Sequence, residues 1–369
     1  MPLPGNKQQR LILASALLLL AIGLWSRPVY YLMTYQPQLA DSQVLQCAPA
    51  HLSGPEPDQL EAMVAEVYAD YKNSLARSDT VEQRLFAVLL DNSDPAPASI
   101  LPYLNESSDN RFVCLHFLRA CSLHPEDQAC TAASIETAVA PNRDNAVAWA
   151  LVAAWRASTG DDYGTATALR LATEAPLYDD LNPTHARLAT ASIPETDPYV
   201  HTVMRFNLLA RSSMGMFLYM GRLPFCSRLG AELSEINDYC LALGESLEAE
   251  STSIMNVMLG RSRQQEAYRI RGDRANALRI EQGTLDIYDS IGLSQSADRT
   301  YANLLLAWDK DLQNVWLDAY VSSGEVVAQQ VLLDEAIRRS ADPDYQPCPQ
   351  PGLRFEFPFF YFGEERIAW

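Results

Sequence analysis

The chain has 369 residues, a net charge of −18 and 48% hydrophobic residues, so it is long enough for a sizeable core and too apolar for a disordered chain. The acidity argues against a nucleic-acid partner, because phosphate binding needs a basic face that releases counterions, and it disfavours a broad electrostatic contact with anionic lipid. P-loop, Rossmann glycine, His-Glu-x-x-His and Gly-x-Ser-x-Gly fingerprints are absent, so the sequence calls for no cofactor and names no reaction.

The opening MPLPGNKQQR carries Lys7 and Arg10 and no acid, and Leu11 to Trp25 then run without a charge. Those 15 residues make roughly 22 Å of helix against a hydrocarbon core of ~30 Å. The apolar character continues to Met33, with Arg27 able to snorkel and Trp25, Tyr30 and Tyr31 placed as an interfacial belt. No small-x-small cleavage site follows the run, so residues 1–35 read as an uncleaved signal anchor, with a cleaved signal as the alternative. Lys7 and Arg10 put the short end in the cytoplasm. The expected address is the inner membrane, single-pass, with the C-terminal domain in the periplasm, or a secreted or periplasmic protein after cleavage. Residues 36–57, polar and proline-punctuated, read as a linker.

Residues 58–340 read as one helical domain. Leu60, Met63, Val64, Val67, Tyr68, Tyr71 and Leu75 form one apolar stripe. Thr80 and Gln83 stand at capping-box spacing before a second helix. Further helices are expected near 111–122, 130–139, 145–158 and 164–175. Others follow near 197–215, 227–243, 247–270, 274–291, 300–320 and 325–339. Strand alternation is almost absent, so the fold class is all-α, with stacked antiparallel helix pairs.

Within this domain, Trp149, Ala153, Gly160, Asp161, Leu169 and Ala172 lie near the offsets of a tetratricopeptide-type helical repeat over about 141–176. A fainter echo at 267–282 has Tyr268, Gly272 and Ala277. The match departs from the pattern at Trp155, one residue early for the second aromatic. The resemblance covers about a fifth of the chain, and it implies an α-solenoid-like scaffold that binds proteins along a face. Degenerate helix pairs of an unrelated α-fold produce the same signal.

Seven cysteines, at 47, 114, 121, 130, 226, 240 and 348, all follow the anchor. An oxidising compartment favours disulfides; Cys121 with Cys130 and Cys226 with Cys240 are the local candidates, and the odd count leaves one thiol over. Cys114, His116, Cys121, His124 and Cys130 are also zinc-ligand types, but their spacing matches no zinc module, and a helix through 111–122 turns Cys114 and His116 ~200° apart. No metal is expected.

Catalytic candidates are confined to PLYDDLNPTHARL, where Asp179, Asp180 and His185 are where a paired-carboxylate glycan-acting site would be sought. The competing reading is a helix start whose aspartates satisfy free backbone donors. Glu245, Glu248 and Glu250 read as a second, solvated helix start. Arg261, Arg263, Arg269, Arg271, Arg274 and Arg279 interrupt the acidity and are expected to pair with acidic neighbours. Residues 341–369 read as an extended proline and aromatic tail, its alternate rings Phe355, Phe357, Phe359 and Tyr361 seated in a groove. Phe360, Phe362 and Trp369 remain as interaction candidates. The sequence therefore points to a membrane-anchored exported helical scaffold with protein partners in the cell envelope. A helical-toroid glycan- or peptidoglycan-acting enzyme and an apolar-ligand binder are the alternatives.

Overall fold

The computed structural model describes residues 57–91, 94–191, 224–250, 253–290, 297–306 and 308–348, with shorter pieces at 42–45, 193–194, 200–201, 204–205 and 208. The proposed anchor, most of the linker, the helix expected at 197–215 and the aromatic tail fall wholly or largely outside the described residues. Among the described residues no helix is long and apolar enough to cross a membrane. Nearly all of them belong to a compact unit beginning at Val44.

Fifteen α-helices occur among the described residues, and no strand. They are α1 (Pro57–Ala76), α2 (Val81–Asp91), α3 (Pro97–Glu106), α4 (Arg111–Leu123), α5 (Ala132–Val139), α6 (Ala146–Ser158), α7 (Asp162–Glu174) and α8 (Asn182–Ala191). The series continues with α9 (Pro224–Glu232), α10 (Ser234–Glu250), α11 (Ile254–Ile270), α12 (Arg274–Ser290), α13 (Ala297–Leu305), α14 (Lys310–Ser323) and α15 (Glu325–Ser340).

Helix starts follow the side chains able to satisfy free N–H groups. Asn110 caps α4 by accepting from the Val113 amide, Asp161 caps α7 through Gly164, and Asp309 caps α14 through Asp311 and Leu312. Thr131 and Ser134 cap α5 reciprocally. Asp309 explains why the single helix expected over 300–320 is two: its carboxylate takes the first amides of a new helix. It also accepts from Arg339 at 2.8 Å and Tyr345 at 2.6 Å, tying α14 to the end of α15.

The helices pack chiefly as neighbours in sequence: α1 on α2, α2 on α3, α3 on α4, and α4 on both α5 and α6. Beyond α6 the row runs α7, α10, α11, α12, and α13 and α14 pack against α15. Every residue of α4 from Phe112 to Ser122 is buried, the mark of a helix surrounded by others. It anchors the main core with Tyr71, Leu85, Ile100, Leu151 and Leu169. A smaller core holds Val44, Leu305, Leu312 and Leu332.

The hairpins α6–α7 and α11–α12 turn through Gly160 at φ 78° and Gly272 at φ 72°, a region costly for any residue with a Cβ. These are the glycines of the two repeat echoes. Helices α10 and α11 cross closely at two glycines. A Cβ on Gly244 would lie 2.8 Å from the Gly260 carbonyl oxygen, and one on Gly260 would lie 2.6 Å from the Gly244 oxygen. The sequence expectation of a solvated helix start at Glu245, Glu248 and Glu250 is not met. They lie late in α10, and Glu248 reaches across to Arg261 and Gln264 of α11.

Both local disulfides are formed: Cys121–Cys130 joins α4 to the segment before α5, and Cys226–Cys240 joins α9 to α10. Cys348 is also disulfide-bonded, while Cys114 is a free buried thiol. Four of the six arginines in the basic run form ion pairs: Arg261 with Glu248, Arg263 with Glu266, Arg269 with Glu281 and Arg271 with Asp238.

Candidate functional site

The segment read from sequence as the catalytic candidate is a buried polar strip crossing the interior, and it leads into a helix, α8, at the place of the competing helix-start reading. Asn145 starts the construction. Its Oδ1 accepts from the Val147 amide to cap α6 and from the Asp179 amide at 3.1 Å, while its Nδ2 donates to the Asp179 carbonyl at 2.7 Å. Leu177 completes the junction by exchanging backbone bonds with Asp144 and Ala146.

Asp179 Oδ1 then accepts from the Leu181 amide at 2.9 Å, and Asp180 Oδ1 from the Asn182 amide at 3.1 Å. Two successive side-chain turns of this kind leave Leu181 at φ 61°, the one described non-glycine residue with positive φ. That conformation costs a branched residue on the order of 1–2 kcal/mol. Burial of the Leu181 side chain and the bonds on either side hold it there.

Asp180 is the centre of the strip. Its Oδ2 accepts from Asn182 Nδ2 at 2.7 Å and from Asn256 Nδ2, which joins the strip to the first turn of α11. Burial pushes the Asp180 carboxyl up to about 6, against the lowering effect of the bonds from Asn182 and Asn256; the Asp179 charge adds to the rise. Around it stand Tyr178 and Tyr320, phenols raised first by burial and then by the Asp180 charge. Glu325 also rises through burial, and it accepts from the Ile254 amide at 2.8 Å, so α15 supplies a carboxylate to the start of α11.

At the far end of the strip, His185 meets His116 of α4, Nε2 to Nε2 at 2.7 Å. Sequence placed these histidines in two separate candidate sites, and the fold makes them one pair. The zinc-type constellation is taken apart at the same time. Cys121 and Cys130 are bonded to each other, Cys114 donates to the Ser108 carbonyl and burial pushes its thiol up to about 12, and His124 lies exposed at the end of α4. Among the described residues no group of three or more His, Cys, Asp or Glu is placed to hold a metal.

Chemically the strip is shielded. Asp180 is 6% exposed, His185 4% and His116 2%, and the Asp180 oxygens already carry three protein donors. Asn256, Tyr320 and Glu325 escape sequence reasoning because nothing in their local spacing marks them; only the tertiary fold brings Asn256 and Tyr320 to Asp180 and Glu325 to the start of α11. Comparison with known proteins finds no matching family model, curated protein or solved structure.

Proposed function

We propose that this chain is a membrane-anchored, exported helical scaffold that works by protein–protein contact within an envelope assembly. The observation that carries the reading is the packing row α6, α7, α10, α11, α12, with two of its hairpins turned by glycines at positive φ. Stacks of helix pairs bury one continuous core and leave long faces for partners, the α-solenoid arrangement. The two bridges fit an oxidising compartment, in keeping with residues 1–35 as an anchor and the bulk in the periplasm. The internally bonded state of Asp180 supports a structural role for the polar strip.

Crosslinking and pull-down from membranes, with and without residues 354–369, tests the reading. A specific envelope protein should be recovered with the full chain. Its loss on truncation, with the helical content unchanged, assigns Phe360, Phe362 and Trp369 to the contact; its retention assigns the contact to the helical body and the tail to the core. Recovery of no envelope partner under crosslinking refutes the scaffold.

The raised Asp180 carboxyl beside a strained Leu181 favours one second reading, a glycan-acting enzyme, since functional sites collect such features. Turnover of an envelope glycan by the purified chain, abolished by Asp180→Asn with the fold retained, would establish it.

A further inference from the structure

The pair formed by His116 and His185 has a property that its neighbours do not share. The imidazoles meet edge to edge, with centroids 4.8 Å apart and planes at 24°. Phe112 lies against both, at 4.6 and 5.1 Å, and Phe86 meets His185 edge-on at 6.0 Å. A bond between two imidazole nitrogens holds one hydrogen, so one Nε2 donates and the other offers its lone pair. His116 Nδ1 is buried without a partner. An orphaned lone pair is tolerated more readily than an orphaned N–H, so His116 is assigned as the Nε2–H tautomer and His185 as the acceptor.

This bond exists only while the pair is short of its second proton. Full protonation turns both Nε2 atoms into donors and places two cations 2.7 Å apart out of water. Burial holds His116 well below the usual imidazole range, and the neighbouring charges of His185 and Arg119 act in the same direction. Arg119 is itself paired with Asp94 at 2.6 Å. Among the described residues, α1 brings Tyr71, whose hydroxyl donates to the Leu188 and Ala189 carbonyls of α8, and α14, which also packs on α8, brings Tyr320 beside Ala186; burial raises both phenols, so both stay neutral. Asp180, at the approach to α8, is bound to Asn182 and Asn256.

We propose that the His116–His185 pair is a proton-operated latch that holds α8 against α4 at neutral pH and releases it in acid, uncovering Phe86 and Phe112. The sign follows from linkage. A released histidine titrates near ~6.5 and the latched one lower, so the latched state is favoured above that pH and loses ground as pH falls through it. For the one proton denied to His116, the advantage shrinks about 30-fold between pH 7.5 and 5.0. Asp180, raised to about 6, works in the opposite direction: its proton uptake steadies the folded strip as pH falls from about 6. The comparison must therefore leave Asp180 in place.

The experiment is amide hydrogen exchange of the full chain at pH 7.5 and 5.0, corrected for intrinsic rates, following peptides across 182–191 with 146–174 as internal reference. His116→Gln, which keeps a donor for His185 but cannot take up a proton, is measured alongside. In the wild type, protection of 182–191 should fall about 30-fold more than in His116→Gln, while 146–174 stays protected in both. The same change in protection of 182–191 between the two pH values in wild type and His116→Gln overturns the latch. Should His116→Gln fail to fold, imidazole nitrogen shifts of the wild-type chain decide: the second proton must arrive with the loss of protection. Arrival of that proton with α8 still protected, or loss of protection with the pair still sharing one hydrogen, also overturns it.

Discussion

Replacing Gly260 by alanine tests the glycine crossing of α10 and α11. On an open helix the change is favourable by up to ~1 kcal/mol, because glycine is a poor helix former. Here the new methyl would lie 2.6 Å from the Gly244 carbonyl oxygen and 2.8 Å from both the Glu248 nitrogen and Leu247 Cβ. Ordinary contact begins near 3.4 Å, so α10 and α11 must part by 0.6–0.8 Å, the differences 3.4 − 2.8 and 3.4 − 2.6. Two of the obstacles are backbone atoms and cannot swing aside. Parting also stretches the Gln264 bonds to the Gly244 carbonyl and to Glu248, at 3.2 and 2.6 Å. Overpacking of this kind costs about 1–3 kcal/mol, and because two of the obstacles are backbone the upper part of that range applies, which leaves a net loss of up to about 2 kcal/mol once helix propensity is returned. Urea unfolding of the full chain, followed by far-UV circular dichroism, measures it. Gly230→Ala, whose nearest neighbour is Asn237 Cβ at 3.3 Å, is the control and should change stability by no more than about 0.5 kcal/mol. Gly244→Ala with Gly260→Ala should cost less than the two changes summed, because either one opens the shared crossing. Wild-type or higher stability for Gly260→Ala refutes the argument.

Opening Cys121–Cys130 or Cys226–Cys240 by double serine substitution should lower stability by about 3 kcal/mol each from the loops they close, read by thermal melts of variants and wild type. Cys114, 0% exposed, should resist iodoacetamide in the native chain and react in denaturant. Glu335, held down to about 2 chiefly by its bond from Arg338 and further by Arg339, gives a pH-dependent contribution. Its folded value lies below the unfolded 4.5, so its stabilisation is present above that pH and lost as pH falls from 4.5 through 2. Glu335→Gln should flatten the acid limb of the stability curve over that window. Because Arg338 is 69% exposed, solvent screening holds the difference to about 1 kcal/mol or less.

The all-α class was legible because most helices here announce themselves by a stripe and a cap. Tyr71 and Leu75 of the first stripe are buried as the spacing requires, and Leu312 and Tyr320 do the same for α14. Prolines hid two helices. Pro97 sits at the first turn of α3, where its missing N–H has no partner to lose, with Pro102 further in, so a proline-rich stretch that looks like a break is a helix. In α8, Asn182 and Pro183 follow two aspartates; the stretch reads as a loop or a helix start, and the side-chain turns at Asp179 and Asp180 lead into a helix whose extent the spacing did not mark. Both cysteine bridges were visible because each is local. The polar strip was half visible: Asp179, Asp180 and His185 stood out as a chemical cluster and do lie together in the fold. Their partners His116, Asn145, Tyr320 and Asn256 come from distant positions, and pairing across such distances leaves no mark in spacing.

The contrast between α4 and α8 explains why the strip matters to the fold. Helix α4 brings Phe112, Val113, Leu115, Phe117 and Leu118 into the core, each worth on the order of 1.5–3 kcal/mol on burial. Helix α8 brings Ala186 and Ala189 as its buried apolar residues, and an alanine methyl contributes only about a third as much. Ala186 packs with Leu317, Tyr320 and Ala328, and Leu188 is partly buried on the main core, so the apolar grip on α8 is lighter than that on α4. Directional bonds add to it: Tyr71 on the Leu188 and Ala189 carbonyls, His116 on His185, and Asp180 with Asn182 and Asn256 ahead of the first turn. A helix seated on leucines and phenylalanines keeps its place whatever the pH. One seated in part on imidazole and carboxyl bonds depends on those groups keeping the right number of protons, and that dependence is the physical basis of the proposed latch at α8.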